Sequence, residues 1–279
     1  MSNSYPKKYL GRNELINQHP NIIETPENYA RVIVSVKEKS VKGAGTKALR
    51  SLDILRAIWC LFGNSATEIS GDSWKWKPIN KIRLGSIHTL HRDNGSVASE
   101  FFWYEPNFLP AILFKHQEPD RFSKLCKLAL EKLASIPYNN IMKDALLRYV
   151  RALDEKDQNT ALIRLWGALE TLTAASGSYD LVTKRCAFLF AEYDYHKQIL
   201  EHLREHRNSN VHSGDESDNT KFSCFQLQRY FYNLILFHLR NQGEFSSLDE
   251  ANSFLDLPAN KRILEDRKKL IEKALKFIQ

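Results

Sequence analysis

The sequence lacks the features that mark several large classes of protein. It has no run of about 18 uncharged apolar residues, the length that a membrane-crossing helix needs. No apolar stretch follows the charges of residues 1–8, as a signal peptide would require. No Cys-x-x-Cys pair occurs among the four widely separated cysteines, Cys60, Cys126, Cys186 and Cys224. We therefore expect reduced core thiols in a cytoplasmic protein that does not cross a membrane.

Motifs for metals and cofactors are equally scarce. The glycines of residues 42–47 are not in the order G-x-x-x-x-G-K-[ST] that cradles phosphate. Residues 202–206 match H-x-x-E-H, the zinc motif of inverted metallopeptidases, but the match extends no further. The sequence therefore predicts neither a metal nor a cofactor. A net charge of +7 permits a polyanionic partner such as nucleic acid.

What is present is an ordinary globular composition that changes along the chain. The 279 residues are 43% hydrophobic and 26% charged, which is typical of soluble domains with a sizeable core. Near residue 116 the pattern changes from mixed to helical. We expect a small α+β domain over residues 1–115 and a mainly α domain, an antiparallel helical bundle, over residues 116–279.

The first part alternates between strand-like and helical patterns. Residues 29–36 are β-branched and apolar, which predicts a strand. Residues 43–62 carry apolar side chains at helical spacing. Residues 81–91 and 97–104 have strand character and flank the turn-forming residues 93–96, which together predict a β-hairpin.

The second part is a series of amphipathic helices. They are predicted over residues 120–136, 140–153, 159–173, 180–193, 195–206 and 220–240, with a basic closing helix from Pro258. Asn159 is the expected N-cap of its helix. In the closing helix we expect the apolar side chains, such as Leu270 and Ile271, to face inward and the charges to form a solvated face.

One short segment carries the candidate chemistry. Arg207-Asn208-Ser209-Asn210-Val211-His212 lies between the predicted helices 195–206 and 220–240. Arginine can hold a phosphate through its planar fork, and histidine suits proton transfer near neutral pH. An arginine followed at similar spacing by a histidine also occurs from Arg12 to His19 and from Arg83 to His88. Only the copy at residues 207–212 stands between strong helices.

This segment forms part of a wider resemblance. Residues 161–172 (ALIRLWGALETL), a further helical stretch and then Arg207-Asn208-x-x-Val211-His212 resemble the HEPN superfamily, particularly its Apea-like branch. The resemblance covers roughly residues 140–245. It implies a helical bundle with the motif at the junction of two helices. It also implies a metal-independent RNase of prokaryotic antiphage defence or toxin systems, which acts as a homodimer with a composite active site.

The resemblance and the residue types imply a role for each side chain. RNA supplies its own 2′-hydroxyl nucleophile, so an endoribonuclease needs proton transfer and charge stabilisation but no divalent metal. His212 would transfer the proton, and Arg207 would stabilise the charge on the phosphorane. Asn208 would orient the histidine or bind a phosphate oxygen. We expect Arg207 and His212 to lie about one turn apart on one helical face, and the product to be a 2′,3′-cyclic phosphate.

Three further residues are weaker candidates. Glu170 stands in an apolar helical pattern, where it would either pair with Arg207 or point to solvent. Arg204 and His206 would make the end of their helix positive, which the helix dipole favours and which RNA could use.

Two functions from different classes remain open on the sequence. The first is the endoribonuclease, with the N-terminal domain as sensor or restraint and an antitoxin or trigger protein as a partner. The second is a non-catalytic HEPN module that dimerises and binds a nucleic acid or a protein. The sequence favours the enzyme because Arg207, Asn208 and His212 are all present.

Overall fold

A computed structural model describes residues 4–9, 11–19, 25–27, 29–64, 77–110, 114–173, 179–213 and 220–278, with the side chains of Tyr179 and residues 210–213 outside the description. The described chain is mainly helical, which confirms the mainly α class. Its contacts form two compact units, residues 1–130 with 149–161, and residues 131–148 with 162–279. The predicted division at residue 116 stays a prediction. No helix among the described residues is long and apolar enough to cross a membrane.

Most of the predicted helices are present. After a 3-10 helix at Lys7–Tyr9, the helices are α1 (Gly11–Asn17), α2 (Val41–Gly63), α3 (Pro119–Ser135), α4 (Asn139–Ala152), α5 (Gln158–Thr173), α6 (Tyr179–Ala187), α7 (Tyr193–Ser213), α8 (Thr220–Arg240), α9 (Leu248–Leu255) and α10 (Lys261–Phe277). The predicted cap at Asn159 is wrong. The carboxylate of Asp157 accepts instead from the backbone N–H of Asn159 at 3.2 Å and of Thr160 at 2.9 Å, so Asp157 is the N-cap of α5.

The predicted hairpin is confirmed, with a short ladder. Strands β1 (Ile87–His88) and β2 (Trp103–Tyr104) pair antiparallel. At the turn, Arg92 N donates to Ser96 O at 2.9 Å and Gly95 N donates to Arg92 O at 2.8 Å. Gly95 has φ of +89°, a conformation that L side chains rarely adopt. A type I turn followed by a left-handed residue is a common hairpin connection, which is why the turn was visible in the sequence.

The strand predicted at residues 29–36 is not formed. Arg31 makes a single bridge, and residues 32–36 belong to no strand. Their β-branched side chains suit a strand, but a ladder also needs a partner, which local sequence does not specify.

The first unit contains a buried network of opposite charges. Arg56 of α2 donates to both oxygens of Asp154, at 2.8 and 2.6 Å, and to Asp53 at 2.8 Å. Arg151 donates to Asp53 at 2.6 Å and to Glu105 at 2.7 Å. Desolvation alone would lower the pKa of Arg56, but the neighbouring carboxylates outweigh it and raise that pKa. Each of these carboxylates therefore has cationic partners.

In the second unit, α7 and α8 run antiparallel. His196 Nδ1 lies 2.9 Å from the hydroxyl of Tyr230, and His206 Nδ1 lies 3.0 Å from the hydroxyl of Ser223. The residue numbers rise along α7 while they fall along α8, so the two helices form an αα-hairpin.

Polar contacts also join α5, α6 and α9 of the second unit. Arg185 of α6 makes two hydrogen bonds to Asp256, at 2.9 and 2.6 Å, and donates to the carbonyl of Thr173. Asn252 of α9 donates to the carbonyl of Leu172 at 3.3 Å. The helices therefore pack as neighbours, as in a bundle.

Two expectations about side-chain burial have opposite outcomes. The cysteines are unpaired and buried, as predicted for core thiols. The prediction that the apolar side of α10 faces inward is wrong, because none of the residues of this helix is buried. Leu270 is 65% exposed and Ile271 is 61% exposed. The helix keeps its amphipathic pattern, but its apolar side faces solvent in the single chain.

Candidate functional site at the end of helix α7

Helix α7 continues through the whole candidate motif. The sequence predicted that a helix ends at His206 and that residues 207–212 connect it to the next helix. The structure instead extends α7 to Ser213, so Arg207–His212 form about its last two turns. The motif therefore lies at the end of α7, before the segment that leads to α8.

The continuous helix changes which residues share a face. A separation of five residues rotates position 212 about 140° from position 207, since each residue advances about 100° around the axis. The expectation that Arg207 and His212 share one face is therefore wrong. Position 208 is about 40° from position 212 and shares its face. The side chain of His212, and with it the predicted proton transfer, lies outside the described residues.

Arg207 and Asn208 interact directly. The NH1 atom of Arg207 donates to Oδ1 of Asn208 at 2.9 Å, and both residues are half-buried. The bond joins the guanidinium to an amide of the same helix, which restricts its orientation. The described contact of the Asn208 carbonyl oxygen is with Arg207. That Asn208 orients the histidine or binds a phosphate oxygen stays a prediction.

His206 joins α7 to α8. Its Nδ1 shares the 3.0 Å hydrogen bond with Ser223, and its Nε2 is buried with no hydrogen-bond partner among the described residues. Burial lowers the pKa of His206, and the nearby His202 adds to this effect. The ring is therefore biased toward its neutral form and helps to fix the end of α7 against α8. RNA contact by His206 stays a prediction.

Arg204 has an acidic partner that the sequence did not reveal. Its NH1 lies 2.6 Å from Oδ1 of Asp180, at the start of α6. Asp180 precedes Arg204 by 24 residues in sequence, so no local pattern links them. Ser223 was missed for the same reason, because its contact with His206 forms only when α7 and α8 pack together.

Glu170 has a partner on its own helix. Its Oε1 accepts from the indole Nε1 of Trp166 at 2.9 Å, one turn earlier in α5. The ion pair with Arg207 that was considered for Glu170 is not among the ion pairs of the described residues. Glu170 therefore satisfies the buried Trp166 indole, a partner that the sequence did not indicate.

The described residues do not assemble a metal site at this position. No group of three or more His, Cys, Asp or Glu side chains that could hold a metal ion occurs in the described ranges. Of the two histidines in the H-x-x-E-H match, His202 is exposed and His206 is bonded to Ser223.

No protein-family model, no curated protein and no solved structure matches the chain. A function is therefore inferred from the side chains at the end of α7. This end brings together two guanidinium groups and an amide, with His212 in the same helix. Cations at a helix C-terminus are favoured by the helix dipole, and arginine is suited to bind phosphate oxygens.

Proposed function

We propose that the chain is a metal-independent endoribonuclease of the HEPN type, with its site at the end of α7. The observation that carries the proposal is the Arg207–Asn208 hydrogen bond of 2.9 Å in the helix that also contains His212. A half-buried arginine held by a neighbouring amide is partly preorganised for a phosphate. The antiparallel α7–α8 hairpin and the helical packing of the second unit are compatible with the bundle that the resemblance implies.

In the proposed reaction, the 2′-hydroxyl of RNA attacks the adjacent phosphorus and the bond to the 5′-oxygen breaks. A base removes the proton of the 2′-hydroxyl, and an acid gives a proton to the leaving 5′-oxygen. The products are a 2′,3′-cyclic phosphate and a free 5′-hydroxyl. His212 transfers protons, and Arg207 stabilises the charge that develops on the phosphoryl oxygens.

The motif supplies one candidate histidine per chain, His212, which favours a site made from two copies. A homodimer would provide one His212 as base and a second as acid. Such a dimer needs an apolar surface, and α10 presents Leu270, Ile271 and Leu275 to solvent, with exposures of 65%, 61% and 58%. The cytoplasmic location, the role in prokaryotic defence or toxicity, and an antitoxin or trigger protein as partner belong to the same proposal.

RNA cleavage in the presence of excess EDTA tests the proposal. We expect the full chain to cut RNA and to leave 2′,3′-cyclic phosphate ends. His212→Ala should lower the rate by roughly 10²-fold or more, the usual contribution of a general acid or base. Arg207→Ala should lower it by about 10²-fold, as expected for loss of transition-state charge stabilisation. His202→Ala is the matched control, because His202 is exposed on the same helix, and it should cleave like the parent chain.

The composite site requires a dimer, so light scattering on the same preparations should give the mass of two chains. Loss of cleavage with EDTA would contradict metal independence. Equal rates for the parent chain and His212→Ala would contradict the role of His212, and a fully active monomer would contradict the composite site. If the parent chain binds RNA but cuts none, the non-catalytic binding module is the better assignment.

A further inference from the structure

The first unit contains a cavity whose chemistry is unrelated to the nuclease motif. It has a volume of about 470 Å³ and is bounded by α2, by the start of the chain and by the segment that leads into β1. Small-molecule sites commonly occupy about 300–1,000 Å³. The cavity is therefore large enough for one small ligand.

Aromatic rings form much of the cavity wall. They come from separate parts of the first unit and are Tyr5, Tyr29, Trp59, Phe114 and Phe122. Aromatic side chains of this kind stack on flat heterocycles such as nucleobases, as they do in single-strand binding proteins. The wall thus suits a ligand with a flat ring.

The charge of the lining is strongly one-sided. Its cations are Arg12, Arg31, Arg56, Lys81 and Arg83, and no Asp or Glu occurs among the described lining residues. Arg56 is neutralised by Asp53 and Asp154, at 2.8 and 2.6 Å. Arg31 and Arg83 add positive charge to the lining, which favours an anion.

Two of these arginines flank a single ring. The guanidinium of Arg12 lies 5.1 Å from the centroid of Tyr5, and that of Arg31 lies 5.8 Å from it. Cation–π contacts at this distance stabilise a guanidinium without neutralising its charge. Tyr5 therefore holds two positive groups at the edge of the cavity.

Arg83 has buried donors that lack hydrogen-bond partners among the described residues. Its NH2 donates to Pro110 O at 3.3 Å, whereas its Nε and NH1 are buried and have no hydrogen-bond partner among the described residues. Burial lowers the pKa of Arg83, because desolvation disfavours the charged form. An anion in the cavity would provide the acceptor that the guanidinium lacks.

The nearby carboxylates cannot readily supply that acceptor. Both oxygens of Asp154 accept from Arg56. Those of Glu105 are bonded to His88, at 3.2 Å, and to Arg151, at 2.7 Å. Asp154 and Glu105 thus accept hydrogen bonds from other side chains, and neither is bonded to Arg83.

We propose that this cavity binds a nucleotide, with the base among the aromatic rings and the phosphate against Arg31 and Arg83. A flat apolar lining alone would suit any aromatic compound, and a cationic lining alone would suit any small anion. A nucleotide combines both features within one molecule of suitable size. This inference is independent of the nuclease proposal, because it concerns residues of the first unit and binding rather than cleavage.

Calorimetric titration of the full chain with AMP, ATP, adenosine and pyrophosphate tests the inference. We expect AMP or ATP to bind at least about tenfold more tightly than adenosine or pyrophosphate, because each of these lacks one half of the recognised chemistry. Arg83→Gln and Arg31→Gln should each weaken nucleotide binding by about tenfold, the loss of one charge-assisted contact. Arg50→Gln, an exposed change on α2 outside the described lining, should bind like the parent chain.

Thermal melting of each variant separates a loss of binding from a loss of folding. If either Arg83→Gln or Arg31→Gln does not fold, the other variant still tests the phosphate contact. Equal affinity for adenosine and AMP would overturn the phosphate contact. Equal affinity for pyrophosphate and ATP would overturn the base contact. The inference is also overturned if no nucleotide binds, or if folded Arg83→Gln and Arg31→Gln bind as tightly as Arg50→Gln.

Discussion

Two arginine–aspartate pairs, one in each unit, have the same length and different surroundings. Arg56 and Asp154 in the first unit approach to 2.6 Å with side chains 2% and 15% exposed. Arg204 and Asp180 in the second unit also approach to 2.6 Å, but their side chains are 24% and 88% exposed. The distance is therefore no guide to the energy, because water screens the second pair and hardly screens the first.

The surroundings of the two pairs extend this contrast. Asp154 also accepts from Asn80 at 2.8 Å, and the partner network continues through Asp53 and Arg151. Breaking one contact there leaves a buried charge. Arg204 can exchange Asp180 for water or for a ligand at little cost. The buried network thus stabilises the first unit, while the end of α7 keeps a cation that can be used for binding.

Breaking the buried pair should destabilise the protein most. Arg56→Met removes the guanidinium and leaves Asp53 and Asp154 without it in a buried site. We expect the first unit to lose about 3–5 kcal/mol of unfolding free energy, the usual cost of leaving half of a buried ion pair. Hydrogen exchange along α2 in increasing urea measures this loss directly.

The control for that variant is Arg50→Met, an exposed change on the same helix. It should alter the unfolding free energy by less than about 0.5 kcal/mol, as is usual for exposed sites. A loss below about 1 kcal/mol for Arg56→Met would contradict the assignment of this network to stability. Equal losses in the two variants would contradict it as well.

The pairing of charges in the buried network could not be predicted from the sequence. Asp53 and Arg56 are three residues apart on α2 and give a local ion-pair pattern, but their partners Asp154 and Arg151 are 98 residues further along the chain. No local pattern contains that pairing. The helix α8 was predicted with its observed bounds because its apolar periodicity is local.

The short helix α9 was missed although a signal was present. Ser247 accepts from the backbone of Glu250 at 3.1 Å, and the Glu250 carboxylate accepts from the backbone of Ser246 at 2.7 Å. The spacing S-x-x-E is a known helix start. At the candidate site the opposite error occurs: the sequence predicts a connection over residues 207–212, but these residues continue α7. Their polar composition suits either a helix end or a loop.

The two units should lose stability in different ranges of acid pH, because each contains a buried group with a lowered pKa. Burial lowers the pKa of His238 in the second unit from 6.5 to about 4. The folded state disfavours the charged ring. The neutral ring of His238 therefore contributes to the unfolding free energy above pH 6.5, and this contribution is lost as the pH falls toward 4. The loss is about 3 kcal/mol, because one pKa unit corresponds to about 1.4 kcal/mol.

In the first unit, burial would raise the pKa of Glu105, but the hydrogen bond to His88 and the charge of Arg151 outweigh it and lower that pKa from 4.5 to about 2. The contribution of the ionised Glu105 to the unfolding free energy is therefore lost only between pH 4.5 and 2. Urea unfolding at a series of pH values tests the order of these losses. His238→Gln should flatten the profile of the second unit between pH 6.5 and 4. An unchanged slope in that variant would contradict the assignment to His238.

Breaking the exposed pair should change the unfolding free energy least. Arg204→Gln should change the unfolding free energy of the second unit by less than about 1 kcal/mol, the range for exposed ion pairs, although its 2.6 Å contact matches that of Arg56. Urea unfolding at low and high salt measures it, and the difference from the parent chain should shrink as salt screens the pair. Asp180→Asn, which removes the other partner, should behave alike. A loss of unfolding free energy near that of Arg56→Met would mean that Arg204 stabilises the fold. Releasing Arg204 from Asp180 to bind RNA would then destabilise the second unit.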